Sequence, residues 1–211
     1  MVLYLSTPSV PEVRAAMSAG EFGCMTTPAQ GNVVPDGCWW AADNGKFGRG
    51  WPGPEAWFLW LKDTVERYGP DECLFAVAPD VPFDAVGTLA ESAPWLSRIR
   101  ALGIPAAFAA QDGCEHGLLP DWADFDVLFL AGTTEWKTGD AALSLSWEAK
   151  VRGKRMHMGR VNSRKRLRIA ESFGCDTADG TYFAFGPDIN LARMGRWAAE
   201  IAAQPSLGSA L

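Results

Sequence analysis

No run of the sequence approaches the ~18 consecutive apolar residues of a membrane-spanning helix, so no membrane partner is expected. The segment Met1–Thr7 has neither a basic region nor a long apolar stretch, which argues against a secretory signal and for a cytoplasmic setting. Only five cysteines occur, at Cys24, Cys38, Cys73, Cys114 and Cys175, and no two share the close spacing of a zinc knuckle or redox pair. Histidine is scarcer still: His116 and His157 lie at no familiar ligand spacing. The expectation is a reduced intracellular protein with no metal and no cofactor. Low-complexity tracts and solenoid-length repeats are missing too, which excludes fibrous, disordered and repeat architectures.

What is present is ordinary globular material: 211 residues, 48% hydrophobic and 21% charged. That length suits one large domain, expected to span residues 1–211. The net charge of -6 hides an asymmetry. Between Lys150 and Arg168 there are nine basic residues and no acid, so the rest of the chain carries 10 basic against 25 acidic residues. Such a segment suits a phosphate backbone, or else forms a solvated helix face paired with acids.

Short apolar runs alternate with helix-like segments. The runs are Val2–Ser6, Phe22–Met25, Cys38–Ala42, Leu74–Ala78, Ala106–Ala110, Val127–Ala131, Met156–Met158 and Cys175–Ala178. Helices are predicted over Val10–Ala19, Pro54–Tyr68, Ala85–Leu102, Asp140–Arg152, Ser163–Phe173 and Leu191–Ala203. This alternation predicts an α/β fold with parallel strands and outer helices. Eight runs suit a compact (β/α)8 TIM-type barrel with no zinc subdomain; an open doubly wound sheet is the competing architecture. Gly31–Gly37 and Gly45–Pro54 read as functional loops.

In a barrel the chemistry lies at the C-terminal ends of the strands. Those ends carry Asp43 and Asn44, Asp80, Gln111 and Asp112, Gly132, Arg160, and Asp179. One such residue is usually a turn former or helix cap, and Asp112 and Asp140 read that way. A succession of them points to a pocket where carboxylates converge on a substrate, proton or metal.

The order of these segments resembles the tRNA-guanine transglycosylase superfamily, above all its DNA-acting branch, which inserts 7-deazaguanines into phage and bacterial DNA. Asp43-Asn44-Gly45-Lys46-Phe47 resembles the Asp-Ser-Gly-Gly-Phe segment, Gln111-Asp112-Gly113 the Gln-Gly segment, and His157-Met158-Gly159-Arg160-Val161 the Met-Gly-Val-Gly segment. Gly174-Cys175-Asp176-Thr177-Ala178-Asp179 resembles Gly-Val-Asp-x-Phe-Asp. The resemblance implies a pentosyltransferase that exchanges guanine for a 7-deazaguanine base through a covalent aspartyl–sugar intermediate. Asp179 would be the nucleophile and Asp43 the general acid/base. Asp80, Gln111, Gly132, Asn44, Phe47 and His157 would bind the base, with Trp40, Phe47 and Trp51 available for stacking. Arg160, Arg164 and Lys165 would hold the nucleic-acid backbone, with Arg166 and Arg168 facing solvent. The implied partners are DNA (tRNA as the alternative) and a free purine or 7-deazapurine base, in a bacterial or phage-infected cytoplasm. Gly180-Thr181-Tyr182-Phe183 replaces the Met-Pro-Thr-Arg run of the tRNA enzymes, and their three-Cys-plus-His zinc site is missing, which favours DNA. Competing readings are an N-glycosylase that releases the base to water, a non-catalytic nucleic-acid-binding module, and a barrel enzyme for a small metabolite.

Overall fold

The computed structural model describes residues 1–48 and 50–203; the end of the expected 1–211 domain lies outside the described residues. Eight parallel strands close into a barrel in sequence order: β1 (Leu3–Ser6), β2 (Gly23–Thr26), β3 (Trp40–Ala42), β4 (Cys73–Val77), β5 (Ala106–Ala110), β6 (Val127–Leu130), β7 (Arg155–Met158) and β8 (Thr177–Asp179). The closing seam pairs Leu3 with Thr177 and Leu5 with Asp179. The open doubly wound sheet is thereby excluded.

Strand alternation sorts the core into two shells. Leu5, Met25, Phe75, Val77, Val127 and Phe129 fill the barrel interior among the small residues Ala41, Ala107 and Ala109. The alternate positions, such as Trp40, Ala76, Leu128 and Leu130, face the helices. Trp40 is fully buried on that outer side, so it cannot stack on a ligand at the barrel mouth.

The helices are α1 (Pro11–Ser18), α2 (Pro54–Tyr68), α3 (Ala85–Arg100), α4 (Thr134–Lys137), α5 (Asp140–Val151), α6 (Arg164–Ser172) and α7 (Pro187–Ala202). Proline opens α1, α2 and α7, where a missing N–H costs nothing. Side chains of Asp84, Thr133 and Ser163 cap α3, α4 and α6. No helix links β2 to β3; residues 27–39 cross as a loop, and the sequence offers no helix there. One detail departs from the sequence reading. The one-turn helix α4 comes straight after β6, started by the Thr133 hydroxyl accepting from the Trp136 N–H at 3.2 Å. Among the described residues no helix is long and apolar enough to cross a membrane, and no cluster of three or more His, Cys, Asp or Glu is placed to hold a metal ion.

Candidate functional site at the barrel mouth

A cavity of about 450 Å³ opens at the C-terminal ends of the strands. That volume suits a small molecule. Asp43, Asp80 and Asp179 all line it, together with Asn44, Phe47, Gln111 and Arg160.

Asp43 follows β3 directly. Its Oδ1 accepts the Gly45 N–H at 2.6 Å, a tight turn that fixes the carboxyl. Burial pushes its pKa up to about 7, the Gly45 N–H pulls it down, and the nearby Asp179 and Asp80 push it up again. A carboxyl so placed holds or yields a proton near neutrality.

Asp80 follows β4 and is buried. Asn44 Nδ2 donates to Oδ1 at 2.8 Å and Gln111 Nε2 to Oδ2 at 2.7 Å. Burial raises its pKa, and the Asn44 hydrogen bond opposes that rise. Gln111 Oε1 accepts the Phe83 N–H at 3.0 Å, which sets the orientation of its amide. Asn44, Asp80 and Gln111 therefore form one chain of hydrogen bonds across β3, β4 and β5, and much of their capacity is spent within it.

Asp179 ends β8. Its Oδ1 lies 2.9 Å from His157 Nε2 and accepts the Arg160 N–H at 3.3 Å. His157 Nδ1 lies 2.7 Å from Thr177 Oγ1. The His157 ring is fully buried in the barrel interior, with centroids 4.9 Å from Phe75 and 4.5 Å from Phe129. It does not line the cavity, so it contacts Asp179 rather than a ligand.

Behind these groups sits a residue that sequence reasoning missed. Lys137 on α4 is fully buried, and its ammonium donates to the Gly159 carbonyl. Burial first, and the Arg160 charge second, push its pKa down to about 7. No local signal distinguishes this lysine from a surface one.

Beside the mouth an exposed aromatic pair grips a cation, and Phe47 of that pair lines the cavity. The Phe47 and Phe83 rings meet edge to face at 5.9 Å, and the Arg160 guanidinium lies 4.5 Å and 5.6 Å from their centroids. Arg160 also donates to the Ala131 and Gly132 carbonyls. Phe83 and Arg160 both have left-handed φ, at 68° and 58°, a conformation that side chains seldom adopt. Phe83 was missed by sequence reasoning; a phenylalanine just before a capping Asp is a weak hint.

The remaining expected site residues fall elsewhere. The Gly132 N–H is already given to the Ala110 carbonyl, so it offers a ligand no donor. Trp51 packs beside Trp57, with centroids 6.3 Å apart. Arg164 and Lys165 are exposed outside the cavity, and Arg164 pairs with Glu200 at 2.6 Å. Asp112 accepts both the Thr133 N–H and its hydroxyl, at 2.6 Å each, as a loop former does. Arg166, expected to face solvent, lines the cavity, as do Asn162 and Thr181, which the sequence did not single out.

Neither a protein-family profile nor a curated protein sequence matches the chain. Solved structures do match in fold. The native KDPGal structure superposes with a TM-score of 0.58 at 14% identity, covering 96% of this chain and 94% of that one. Tryptophan synthase from M. tuberculosis gives 0.56 at 14%, covering 96% and 91%. The 3-hexulose-6-phosphate synthase from Salmonella typhimurium gives 0.55 at 14%, covering 95% and 98%. At such identities the likeness shows the fold, a small TIM-type barrel, and nothing finer.

These findings correct the family reading. The matching structures named here are small TIM-type barrels other than guanine transglycosylases, and no family profile supports that superfamily. Base exchange on DNA by a guanine transglycosylase falls with it. The physical reason lies in the segments that carried the resemblance. Each is a few residues of Gly, Asp, Asn or Gln just after a strand, and any barrel needs such turn chemistry there.

Proposed function

We propose that the protein is an enzyme of proton-transfer chemistry, acting on a small polar molecule bound at the barrel mouth. The observation that carries this reading is one cavity lined by two carboxyls in unlike surroundings. Asp43 is pushed up to about 7, and Asp179 is held by His157 and a main-chain N–H. Unlike environments for two carboxyls are how one site supplies an acid and a base. In this reading Asp43 delivers a proton to the substrate, or removes one, near neutral pH. Asp179 takes the complementary role, its orientation set by the interior histidine. The Asn44–Asp80–Gln111 chain presents its unused acceptor and donor capacity to the substrate's polar edge. Phe47, in the cavity wall, borders the bound molecule.

The test is to incubate the full-length protein in D2O with a panel of small polar metabolites and follow proton NMR spectra. The expected result is one compound class that exchanges a proton or converts. Asp43→Asn and Asp179→Asn should each slow it by about 10²–10⁴. A compound that binds in the cavity yet neither exchanges nor converts would overturn the reading, as would conversion that both variants leave intact.

A further inference from the structure

The nine basic residues of 150–168 do not form one surface. Lys150 pairs with Asp176 at 2.9 Å, Arg152 with Glu148 at 3.0 Å and Arg164 with Glu200 at 2.6 Å. Lys154 donates to the Phe125 carbonyl at 2.7 Å, and Arg160 is latched to Ala131 and Gly132.

Arg166 behaves differently. It is half-buried, lines the cavity and donates from Nη1 to the Arg160 carbonyl at 3.1 Å. Among the described residues no carboxylate reaches it within 4.0 Å. A guanidinium carries five N–H donors in a fixed fork, and one bond to a carbonyl leaves most of them for a ligand. Partly withdrawn from water, such a cation gains from an anionic partner in a way that a solvated one does not.

Its neighbours in the cavity wall supply further donors. Asn162 Oδ1 accepts the Thr181 N–H at 2.8 Å, which commits the acceptor end of the amide and leaves its Nδ2 end to donate. Thr181 itself adds a hydroxyl at the exposed rim. These residues follow β7 and β8, the place where barrels often hold phosphate groups.

We propose that Arg166, flanked by Asn162 and Thr181, anchors an anionic group, phosphate or carboxylate, on the molecule that Asp43 and Asp179 act upon. This rests on the reading of the cavity as an active site, but binding of the anion can be measured without turnover. The anchor fixes one end of the substrate at the β7–β8 side, which places the rest between the carboxyls.

The experiment titrates the full-length protein with inorganic phosphate and, separately, with acetate, at constant ionic strength, and follows amide chemical shifts. The expected result is saturable binding of one of the two, with shifts centred on residues 159–166 and 180–181. Arg166→Gln should weaken that binding about tenfold or more. Arg164→Gln, whose guanidinium pairs with Glu200 outside the cavity, should leave it within about twofold. Preference for phosphate or for acetate identifies the headgroup. No saturable binding of either anion overturns the proposal, and so does an equal loss in both arginine variants. Asp43→Asn separates the two readings: anion binding that persists in it supports the anchor whatever becomes of turnover. Binding that depends on Asp43 and not on Arg166 overturns the anchor.

Discussion

His157 bridges two residues of β8 from inside the barrel, with Nε2 2.9 Å from Asp179 Oδ1 and Nδ1 2.7 Å from Thr177 Oγ1. Thr177 and Asp179 are two apart on one strand and so point to the same face. A carboxylate can only accept, so Asp179 calls for the proton on Nε2, and Nδ1 is left to accept from the Thr177 hydroxyl, which can play either part. Asp179 is thereby aimed by a histidine that never meets the ligand.

Replacing His157 should test this. His157→Ala leaves a hole between Phe75 and Phe129 and strips partners from Thr177 and Asp179. A stability loss of about 2–4 kcal/mol is expected in urea denaturation. His157→Gln refills part of the space and can still donate to Asp179. It should recover about half of that stability and, if Asp179 is aimed by a donor alone, part of the proton-exchange activity. Equal stability of both variants and wild type would mean that the ring contributes nothing to the seam.

Much of this arrangement is legible in the sequence, for a local reason. An apolar run followed at once by Asp, Asn or Gln marks a strand end, and in that way Asp43, Asn44, Asp80, Gln111 and Asp179 are found. The rest depends on facts that a local pattern does not carry. Arg166 reads as solvated because a basic helix start does not reveal which turn faces the cavity. Lys137 goes unmarked because only tertiary burial sets it apart from other lysines. Phe83 reaches the mouth through a left-handed backbone that nothing in its neighbours demands. The same locality misleads about family, since turn residues at strand ends report the architecture and not its lineage.

Lys137 should leave a signature in the pH dependence of stability. Its pKa falls from 10.5 in the unfolded chain to about 7 in the fold. Between those values the unfolded state binds more protons, so wild-type stability gains from this residue as pH rises, by up to about 1.4 kcal/mol per unit. Below pH 7 the cost of burying the charge is fully present. Lys137→Met removes the titration, so its stability relative to wild type should be highest below pH 7 and decline between pH 7 and 9. Buried thiols such as Cys24 and Cys38, which burial pushes up rather than down, act in the opposite sense at high pH but cancel in the difference. Denaturation curves at four pH values check this; a difference independent of pH would refute it.

Gly180 should tolerate no side chain. A Cβ there would lie 2.3 Å from Asn162 Oδ1, 2.3 Å from Tyr4 Oη and 2.8 Å from the Val161 carbonyl. Two of these belong to the loop after β7, so Gly180→Ala must push that loop away from β8. A cost of about 1–3 kcal/mol is expected, with loss of anion binding as Asn162 shifts. Gly117→Ala has open space around it and serves as a control for glycine replacement, though its own left-handed φ adds some strain. Thermal melts and phosphate titrations of both variants check this; a Gly180→Ala protein that melts and binds like wild type would mean that the two loops are not packed as described.

Asp43 should show stability and activity moving in opposite directions. Its carboxyl ionises at 3.8 in the unfolded chain and at about 7 in the fold. Between those values the folded state holds the extra proton, so wild-type stability falls as pH rises through the window, and above pH 7 the cost is complete. Asp43→Asn keeps an oxygen for the Gly45 N–H and carries no titrating group. Its stability relative to wild type should therefore climb from pH 4 to pH 7 and then level off, by up to a few kcal/mol, reduced by the partial exposure of the site. The same variant should lose about 10²–10⁴ in proton-transfer rate, because an amide neither supplies nor accepts the proton. Urea denaturation of both proteins at each pH, run beside the exchange assay, measures the two effects together. A stability difference that stays flat across pH 4–8 would show that Asp43 titrates as an ordinary surface carboxyl, and the acid in this site would have to be sought elsewhere.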